Sequence, residues 1–328
     1  LPDGKVRVGD KILLNFSSND YLGLSQHPQV IDRAKTYLCQ YGSGSGSSRL
    51  VTGTLEIHQQ LEADFARFLN REAALLLNTG FQGNSTLLPT LFDRSSLILC
   101  DRLVHNSLLQ GIRASQATFI RYRHNDLSHL KQCLESSQSQ AYNRIGIVTE
   151  TLLSMDGDRC DLDRIVKLAQ SYGAWLYLDD AHAVGVLGKE GRGLAAAYPE
   201  VDVTIVTLGK AFGSFGAIVG CRQVLKDYWL NTCPGLIYTT ALPPAIVGAI
   251  QGALALMPHL ESERLYLQEQ AQMLHYHLQS LGYRSPSYQS FRDQDVRDQL
   301  FFYSPIVPFL LGDPHRALQV AAALEDHG

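Results

Sequence analysis

The chain has 328 residues, of which 45% are hydrophobic and 18% are charged, and its formal net charge is -4. This length suits one large α/β domain or a large and a small domain, and the composition is that of an ordinary globular protein. The net charge and the lack of a Lys/Arg run argue against a nucleic-acid-binding surface.

The six cysteines are scattered without a C-x-x-C pair. We therefore predict no metal site, no redox motif and free thiols in a reducing cytoplasm. The first residues lack a segment of the signal-peptide type, and the apolar stretch 242–257 is too short and too interrupted to span a bilayer. We expect a cytoplasmic protein with no membrane partner, in which 242–257 is a buried helix. Because the chain begins with Leu1, we also expect residues to have been removed from its start.

The first predicted element is a hairpin over residues 6–16. Beyond it, short apolar runs that predict buried strands alternate with amphipathic segments, of which 61–69 and 162–169 are the clearest helices; Thr52 and Thr54 are candidate caps of the first. The predicted strands are 73–77, 96–100, 145–149, 174–178, 203–207 and 216–220. This alternation predicts an α/β fold in which helices flank a mostly parallel mixed sheet.

Three domains or arms are predicted from the change of pattern along the chain. Residues 1–25 form an N-terminal arm, 26–235 a large ligand-binding domain and 236–328 a small C-terminal domain. The last begins at a proline-marked turn and continues as a long helix pattern over 245–281, a hairpin-like region rich in Tyr, Phe and Asp, and a strand over 306–311.

In open parallel sheets, ligands bind at the carboxyl ends of the strands. The turn 78–84 opens a helix whose N–H groups suit a phosphate, although most such turns are only turns and no P-loop sequence is present. His105 follows the next strand; a lone histidine is more often structural, but its ring can stack on a flat ligand. Ser154 lies beside an Asp-Gly turn and can donate its hydroxyl, and the ligand spacing of an EF-hand is absent.

Two further strand ends carry charged groups. Asp179 directly follows an apolar strand, so a buried carboxylate there needs a cation; a metal and a protonated ring nitrogen both satisfy this need, but with His182 the ligands are too few for a metal site. Lys210 follows the strand that ends at Thr207, and burial favours the neutral amine that forms a Schiff base with a carbonyl. Pyridoxal phosphate requires this combination of groups: a turn that binds phosphate, a side chain that stacks on the ring, an acid for the ring nitrogen and a lysine for the Schiff base.

From residue 14 to its end, the chain resembles the α-oxoamine synthases, which are fold-type I pyridoxal-phosphate-dependent transferases. The motifs that carry the resemblance are 15–24, 42–53, 78–81, 101–108, 149–158, 179–182, 207–210 and 237–244. The resemblance implies a large cofactor-binding domain with a mostly parallel mixed sheet and a smaller α+β C-terminal domain. It also implies that the family's chain continues past residue 328 and carries an arginine before the hairpin that this sequence lacks, so we expect ends to be missing.

The resemblance assigns the chemistry of the cofactor ring to four side chains. It implies that Lys210 holds the cofactor as a Schiff base and that Asp179 pairs with the ring nitrogen. His182 is then expected to hydrogen-bond the ring hydroxyl, and His105 to stack on the ring face and border the substrate. Lys210, His105 and Asp179 are the predicted catalytic residues.

The resemblance assigns phosphate and other cofactor contacts to Gly80, Phe81, Ser154 and Thr207. It places Asn19 where the family recognises the amino-acid carboxylate. It further implies a homodimer with shared active sites, in which Thr239 or Thr240 reaches the phosphate of the neighbouring subunit and the loop near Ser47 lies at the interface.

The reaction that the resemblance favours is the decarboxylative condensation of L-alanine with a pimeloyl thioester, a step of biotin biosynthesis. Lys210 cannot distinguish it from the family's other reactions, so 2-amino-3-ketobutyrate CoA ligase, 5-aminolevulinate synthase and serine palmitoyltransferase remain alternatives. A Rossmann dehydrogenase is disfavoured because no strand pattern leads into the glycines of 42–46. A non-catalytic pyridoxal-phosphate-binding protein is the remaining alternative.

Overall fold

The computed structural model describes residues 4–283 and 304–328. The chain begins with the predicted hairpin, in which β1 (Lys5–Val8) pairs antiparallel with β2 (Lys11–Leu14). Gly9, in the turn between them, has a φ of 59°, a left-handed conformation that glycine adopts without strain. The hairpin prediction is therefore confirmed.

A seven-stranded sheet forms the centre of the molecule, in the order β3-β9-β8-β7-β6-β4-β5. Its strands are β3 (Ala73–Leu77), β4 (Ser96–Asp101), β5 (Thr118–Tyr122), β6 (Arg144–Glu150), β7 (Trp175–Asp179), β8 (Val203–Thr207) and β9 (Ala217–Cys221). Strand β9 runs antiparallel to both neighbours, and every other neighbouring pair is parallel. The structure thus confirms the mostly parallel mixed sheet.

All six predicted sheet strands are present, and one further strand, β5, was missed. Four of the five residues of β5, at one edge of the sheet, are exposed, whereas β3 at the other edge is fully buried. The other strands are buried on both faces and read as continuous apolar runs, which is why the sequence marks them clearly.

Helices cover both faces of this sheet and continue into the C-terminal part. Their bounds are α1 (Pro28–Tyr41), α2 (Glu56–Phe68), α3 (Gly80–Leu91), α4 (Asn106–Ser115), α5 (Leu127–Ser137), α6 (Leu162–Tyr172), α7 (Gln223–Thr232), α8 (Pro234–Ile237), α9 (Pro244–Leu256), α10 (Glu261–Ser280) and α11 (Pro314–His327). Leu61 and Phe65 of α2 pack with Phe212 and α9 in the core on one face. The helix predictions at 61–69 and 162–169 are confirmed.

The predicted caps of α2 are wrong. The N-cap is Leu55, and the Thr54 hydroxyl instead donates to the Arg49 carbonyl oxygen at 2.6 Å and accepts from Arg49 Nε at 2.9 Å. The His58 ring takes the capping position, since its Nδ1 accepts from the Leu55 N–H at 3.1 Å. Thr52 lies further back, in the turn Arg49–Gly53.

The C-terminal part differs from its prediction in two places. The single helix pattern over 245–281 is two helices, α9 and α10, separated by the turn Met257–His259, because Pro258 has no N–H to continue the helical hydrogen bonds. The strand prediction at 306–311 is wrong, since these residues pair with no strand among the described residues. The predicted hairpin-like region falls mostly outside the described residues. The boundaries at 25 and 235 stay predictions.

Helix α9 is buried through Val247, Ile250 and Ala253, as predicted for the apolar stretch. Within residues 4–283 and 304–328, no helix combines the length and apolar character that a bilayer crossing requires. Helix α11 has no buried residue, and a 2.7 Å ion pair between Lys11 and Asp326 connects it to the hairpin.

Candidate active site

The candidate site lies at the edge of the sheet where the parallel strands end. Glu150 at the end of β6 pairs in register with Asp179 at the end of β7, and Asp179 pairs with Ile205 of β8. The chain leaves β3 into α3 and leaves β4 into α4, so two helix starts meet the same edge. The sequence-based rule about strand ends therefore brings most of the predicted residues together.

Lys210 lies in the tight connection between β8 and β9. The Gly213 N–H donates to the Lys210 carbonyl at 2.8 Å, and the Leu208 N–H donates to Gly216 at 2.9 Å. Gly216 has a φ of 104°, which a larger residue rarely adopts, so the backbone can fold back only because glycine stands there. Burial lowers the pKa of the Lys210 amine, while the charges of Asp179 and Glu150 oppose that shift.

His182 contacts Lys210 directly, with 2.8 Å between Nε2 and Nζ. Its other ring nitrogen, Nδ1, lies 2.8 Å from the Tyr21 hydroxyl, which is 3.4 Å from Asn19 Oδ1. Burial, followed by the charge of Lys210, lowers the pKa of His182 to about 3, so the ring is neutral. The network is satisfied if Lys210 donates to Nε2, Nδ1–H donates to Tyr21, and Tyr21 donates to Asn19.

Asp179 is buried and held by uncharged donors. Its Oδ2 accepts from Asn84 Nδ2 at 2.8 Å, and its Oδ1 accepts from the Ala181 N–H at 3.1 Å. Asn84 is fixed in turn by the Tyr177 hydroxyl, which donates to Asn84 Oδ1 at 2.9 Å. No ion pair to Asp179 is present among the described residues, so the carboxylate remains available for a cation such as a protonated ring nitrogen.

His105 is the N-cap of α4, and its Nδ1 lies 2.7 Å from the Ser107 hydroxyl. Its backbone N–H donates to Glu150 Oε1 at 2.6 Å. Burial, followed by the charge of Asp179, raises the pKa of Glu150 to about 8. Sequence reasoning missed Glu150 and Tyr21. Glu150, like Asp179, is a carboxylate that ends an apolar strand.

The start of α3 has the features of an anion site. Thr79 caps the helix by accepting from the Gln82 N–H at 3.0 Å, and the N–H groups of Gly80 and Phe81 in the first turn have no acceptor within the helix. A Cβ at Gly80 would lie 2.4 Å from Thr207 Cγ2, so only glycine fits there. Thr207 Oγ1 is buried without a hydrogen-bond partner in the described part of the chain.

Thr239 and Thr240 lie beside this helix start within their own chain. Gln82 Nε2 donates to Thr239 Oγ1 at 2.9 Å, and Asn78 Nδ2 donates to the Thr240 carbonyl at 2.9 Å. Phe81 is 52% exposed next to them. The contact of Thr239 or Thr240 with a neighbouring subunit stays a prediction.

A cleft of about 1000 Å³ runs past the site. Asn19 and Ser154 share its wall with Tyr21, and Leu267 and Ile306 contribute apolar surface. The structure therefore brings the predicted substrate residue Asn19 and the predicted cofactor residue Ser154 to one space. Tyr21 on this wall is connected to Lys210 by hydrogen bonds through His182.

These observations fit pyridoxal phosphate. The Lys210 amine, whose pKa is lowered by burial, matches the aldehyde of that molecule. The buried carboxylate of Asp179 matches the ring nitrogen, and the buried Thr207 hydroxyl beside the start of α3 matches the phosphate. The fold and the site together define a pyridoxal-phosphate-dependent transferase.

Comparisons with known proteins agree with this class. The family description "Aminotransferase class I and II" matches residues 11–324. The 8-amino-7-oxononanoate synthase of Gluconacetobacter diazotrophicus is 45% identical over 98% of this chain and 79% of its own length. The chain therefore belongs to the class I and II aminotransferase family.

Solved structures show the same fold. A serine palmitoyltransferase from S. paucimobilis with a bound pyridoxal phosphate–myriocin adduct matches with a TM-score of 0.90 and 26% identity, covering 99% of this chain and 81% of that one. The 8-amino-7-oxononanoate synthase of Francisella tularensis matches with a TM-score of 0.79 and 29% identity, covering 95% and 85%. The sequence-based predictions of the fold, of the cofactor and of a pyridoxal-phosphate-dependent acyltransferase of α-oxoamine synthase type are confirmed.

Proposed function

We propose that this enzyme condenses L-alanine with a pimeloyl thioester and releases carbon dioxide, a thiol and 8-amino-7-oxononanoate, as a step of biotin biosynthesis. The observation that carries the proposal is the 45% identity to an 8-amino-7-oxononanoate synthase across nearly the whole chain. In this reaction the α-carbon of alanine loses its proton and bonds to the acyl carbon, and the thiol leaves. The alanine carboxylate then departs as carbon dioxide, and a proton takes its place on the α-carbon.

Pyridoxal phosphate, when bound, supplies an electron sink for the pair left on the substrate α-carbon. Lys210 is the amine to which it attaches and, once free, the base that takes the α-proton at Nζ. Its lowered pKa keeps a fraction of the amine neutral for both tasks. Asp179 holds a proton on the ring nitrogen, because its buried negative charge has no other cation partner among the described residues.

The remaining residues would bind and orient the cofactor. His182, whose Nε2 contacts Lys210, would hydrogen-bond the ring hydroxyl, and His105 would stack on the ring. The phosphate and other cofactor contacts are assigned to Gly80, Phe81, Thr207, Ser154 and Thr239 or Thr240. Asn19 binds the carboxylate of alanine, supported by its position on the cleft wall next to Tyr21.

We further propose a homodimer with shared sites and a cytoplasmic location. The dimer is supported by large apolar side chains that are exposed around the site, among them Phe16, Val51 and Tyr238. The location is supported by the cysteines, which are all free thiols, five of them buried and only Cys39 exposed.

A second candidate is an α-oxoamine synthase that acylates serine. It is favoured by the higher TM-score of the serine palmitoyltransferase, 0.90 against 0.79. We give the sequence identity more weight, because the backbone is common to the whole family whereas substrate choice depends on individual side chains.

The test is an assay of the purified enzyme with alanine, glycine and serine, each combined with pimeloyl-, acetyl-, succinyl- and palmitoyl-CoA. We expect the highest kcat/KM for alanine with the pimeloyl thioester, with Lys210→Ala as the inactive control. A preference for glycine, or for serine with palmitoyl-CoA, would contradict the proposed substrates and leave the cofactor assignment intact.

A further inference from the structure

His124 forms a charged connection between two buried carboxylates outside the set of residues described so far. Its Nδ1 lies 3.0 Å from Asp101 Oδ1, and its Nε2 lies 2.9 Å from Asp158 Oδ2. Asp156, at 3.9 Å from Nε2, is the third carboxylate that faces the ring. Because a carboxylate only accepts hydrogen bonds, both ring nitrogens must donate, and His124 is an imidazolium.

The charge state agrees with the surroundings. Burial by itself lowers the pKa of His124, but hydrogen bonds and charge interactions with Asp101 and Asp158 outweigh it and raise the pKa to about 10. The ring is therefore charged throughout the neutral range. Both carboxylates are buried, and among the described residues His124 is the cation with which each forms an ion pair.

The two carboxylates belong to the two turns that carry His105 and Ser154. Asp101 ends β4, and its Oδ1 accepts from the Leu103 N–H at 2.8 Å, which shapes the turn that leads to His105. The Asp158 carbonyl accepts from the Leu153 N–H at 2.9 Å, which closes the turn around Ser154. The His105 turn is therefore connected to Nδ1 of His124 through Asp101, and the Ser154 turn to Nε2 through Asp158.

We propose that His124, clamped between Asp101 and Asp158, is a positioning residue that holds the His105 and Ser154 turns at the spacing required by the cofactor. The inference rests on the proposed roles of His105 and Ser154 and is independent of the acyl substrate. His124 touches neither the cofactor nor the substrate, and it acts through the two turns.

A metal site is the rival reading, because ligand atoms of His124, Asp156 and Asp158 lie within 4.8 Å of one another. A metal ligand needs a free lone pair on the ring, and both ring nitrogens already face carboxylates. Asp158 Oδ1 is buried without a partner among the described residues, so a stabilising effect of added Zn²⁺ is the observation that would favour the rival.

The experiment is a titration of the full-length apoenzyme with pyridoxal phosphate, followed by tryptophan fluorescence, for wild type and His124→Asn. At pH 7.5 we expect the variant to bind pyridoxal phosphate about 10-fold more weakly. Buried carboxylates without a cation are unfavourable, and their rearrangement would displace the turns that carry His105 and Ser154. His315→Asn, an exposed histidine of α11, is the matched control and should bind like wild type.

The pH dependence of the dissociation constant for pyridoxal phosphate distinguishes this role from a purely structural one. The ratio of the two dissociation constants should shrink as the pH rises through about 10, because the wild type then loses the same charge. Ser154→Ala should reduce the affinity for pyridoxal phosphate less in the His124→Asn background than in the wild type, because both changes act on one turn.

Three outcomes would overturn the proposal. One is an unchanged dissociation constant in His124→Asn despite a lowered melting temperature. The second is full additivity with Ser154→Ala. The third is a rise in wild-type melting temperature with Zn²⁺ that disappears in His124→Asn. If His124→Asn does not fold, Asp158→Asn removes one end of the clamp and should weaken cofactor binding in the same direction; normal binding by this variant would also contradict the proposal.

Discussion

The part of the candidate site proposed to hold the cofactor ring (the ring end) and the part proposed to hold its phosphate (the phosphate end) are built differently. At the ring end, Asp179, His182 and Lys210 each have hydrogen-bond partners within the chain. At the phosphate end, the Thr207 hydroxyl is buried without a partner in the described residues, beside the N–H groups of the first turn of α3. The ring end is preorganised by its own contacts, whereas the phosphate end has donors without a partner among the described residues.

The largest change is expected from Lys210→Ala, which removes the proposed covalent attachment and the proposed base together. We expect turnover to fall by at least about 10³-fold, within the range of a lost general base and nucleophile. Borohydride treatment should fix the cofactor to the wild type and not to the variant, as mass spectrometry of the intact protein would show. A borohydride-stable adduct in the variant would place the attachment elsewhere.

Asp179→Asn should rank second, since it keeps the shape of the ring end and removes its negative charge. We expect turnover to fall by about 10²-fold to 10³-fold, because the ring nitrogen then loses the charge that holds its proton. Steady-state kinetics would measure the loss, and Asp179→Glu, which keeps the charge, is the control. Equal activity of Asp179→Asn and wild type would mean that another group protonates the ring.

Gly80→Ala tests the phosphate end. The new Cβ would meet Thr207 Cγ2 at 2.4 Å, so we expect about 10-fold weaker binding of pyridoxal phosphate from the overpacking. Affinity for pyridoxal, which lacks the phosphate, should change less. Fluorescence titration with both ligands separates the two ends of the site.

The chain offers a matched rescue of that variant. Thr207→Ser keeps the hydroxyl and removes the Cγ2 atom that the new Cβ would meet. The double variant Gly80→Ala with Thr207→Ser should therefore recover most of the lost affinity. Failure to recover would indicate that Gly80→Ala acts through the helix backbone and not through this contact.

The smallest effect is expected from Glu150→Gln, behind the ring end. In the folded protein Glu150 keeps its proton up to about pH 8, whereas an unfolded carboxyl loses it near 4.5. The folded state therefore binds more protons between these values, and this group's contribution to stability decreases as the pH rises from about 4.5 to 8. Glu150→Gln keeps an acceptor for the His105 N–H and should show a smaller loss of melting temperature over that window. If the melting temperature of the variant depended on pH as strongly as that of the wild type, the raised pKa of Glu150 would be contradicted.

The parts of the site that sequence predicted are the ones with a local signal. Lys210 and Asp179 each follow an apolar run that could only be a buried strand, so their place at the sheet edge followed from strand polarity. Tyr21 was missed because its contact with His182 joins distant parts of the chain, which no local pattern reveals. Glu150 was missed although its signal was the same as that of Asp179.

The errors in the fold have the same origin. Strand β5 lies at the edge and exposes its residues, so the apolar pattern that marks the central strands is weak there. The residues 306–311 have that pattern without a neighbouring strand to pair with among the described residues. Thr54 was a reasonable cap by residue type, but Arg49 competes for its hydroxyl through tertiary packing.

The connection that carries Lys210 has a consequence for the order of folding. Strands β8 and β9 are sequence neighbours in an antiparallel pair, from Val203↔Cys221 to Thr207↔Ala217, whereas β3 reaches β9 only across a long loop of chain. Contacts that are local in sequence close with less entropic cost and form early. We therefore expect the β8–β9 pair to form first during folding and to fix the position of Lys210 relative to Thr207. Helix α3, which carries Gly80, would pack against them later and complete the site.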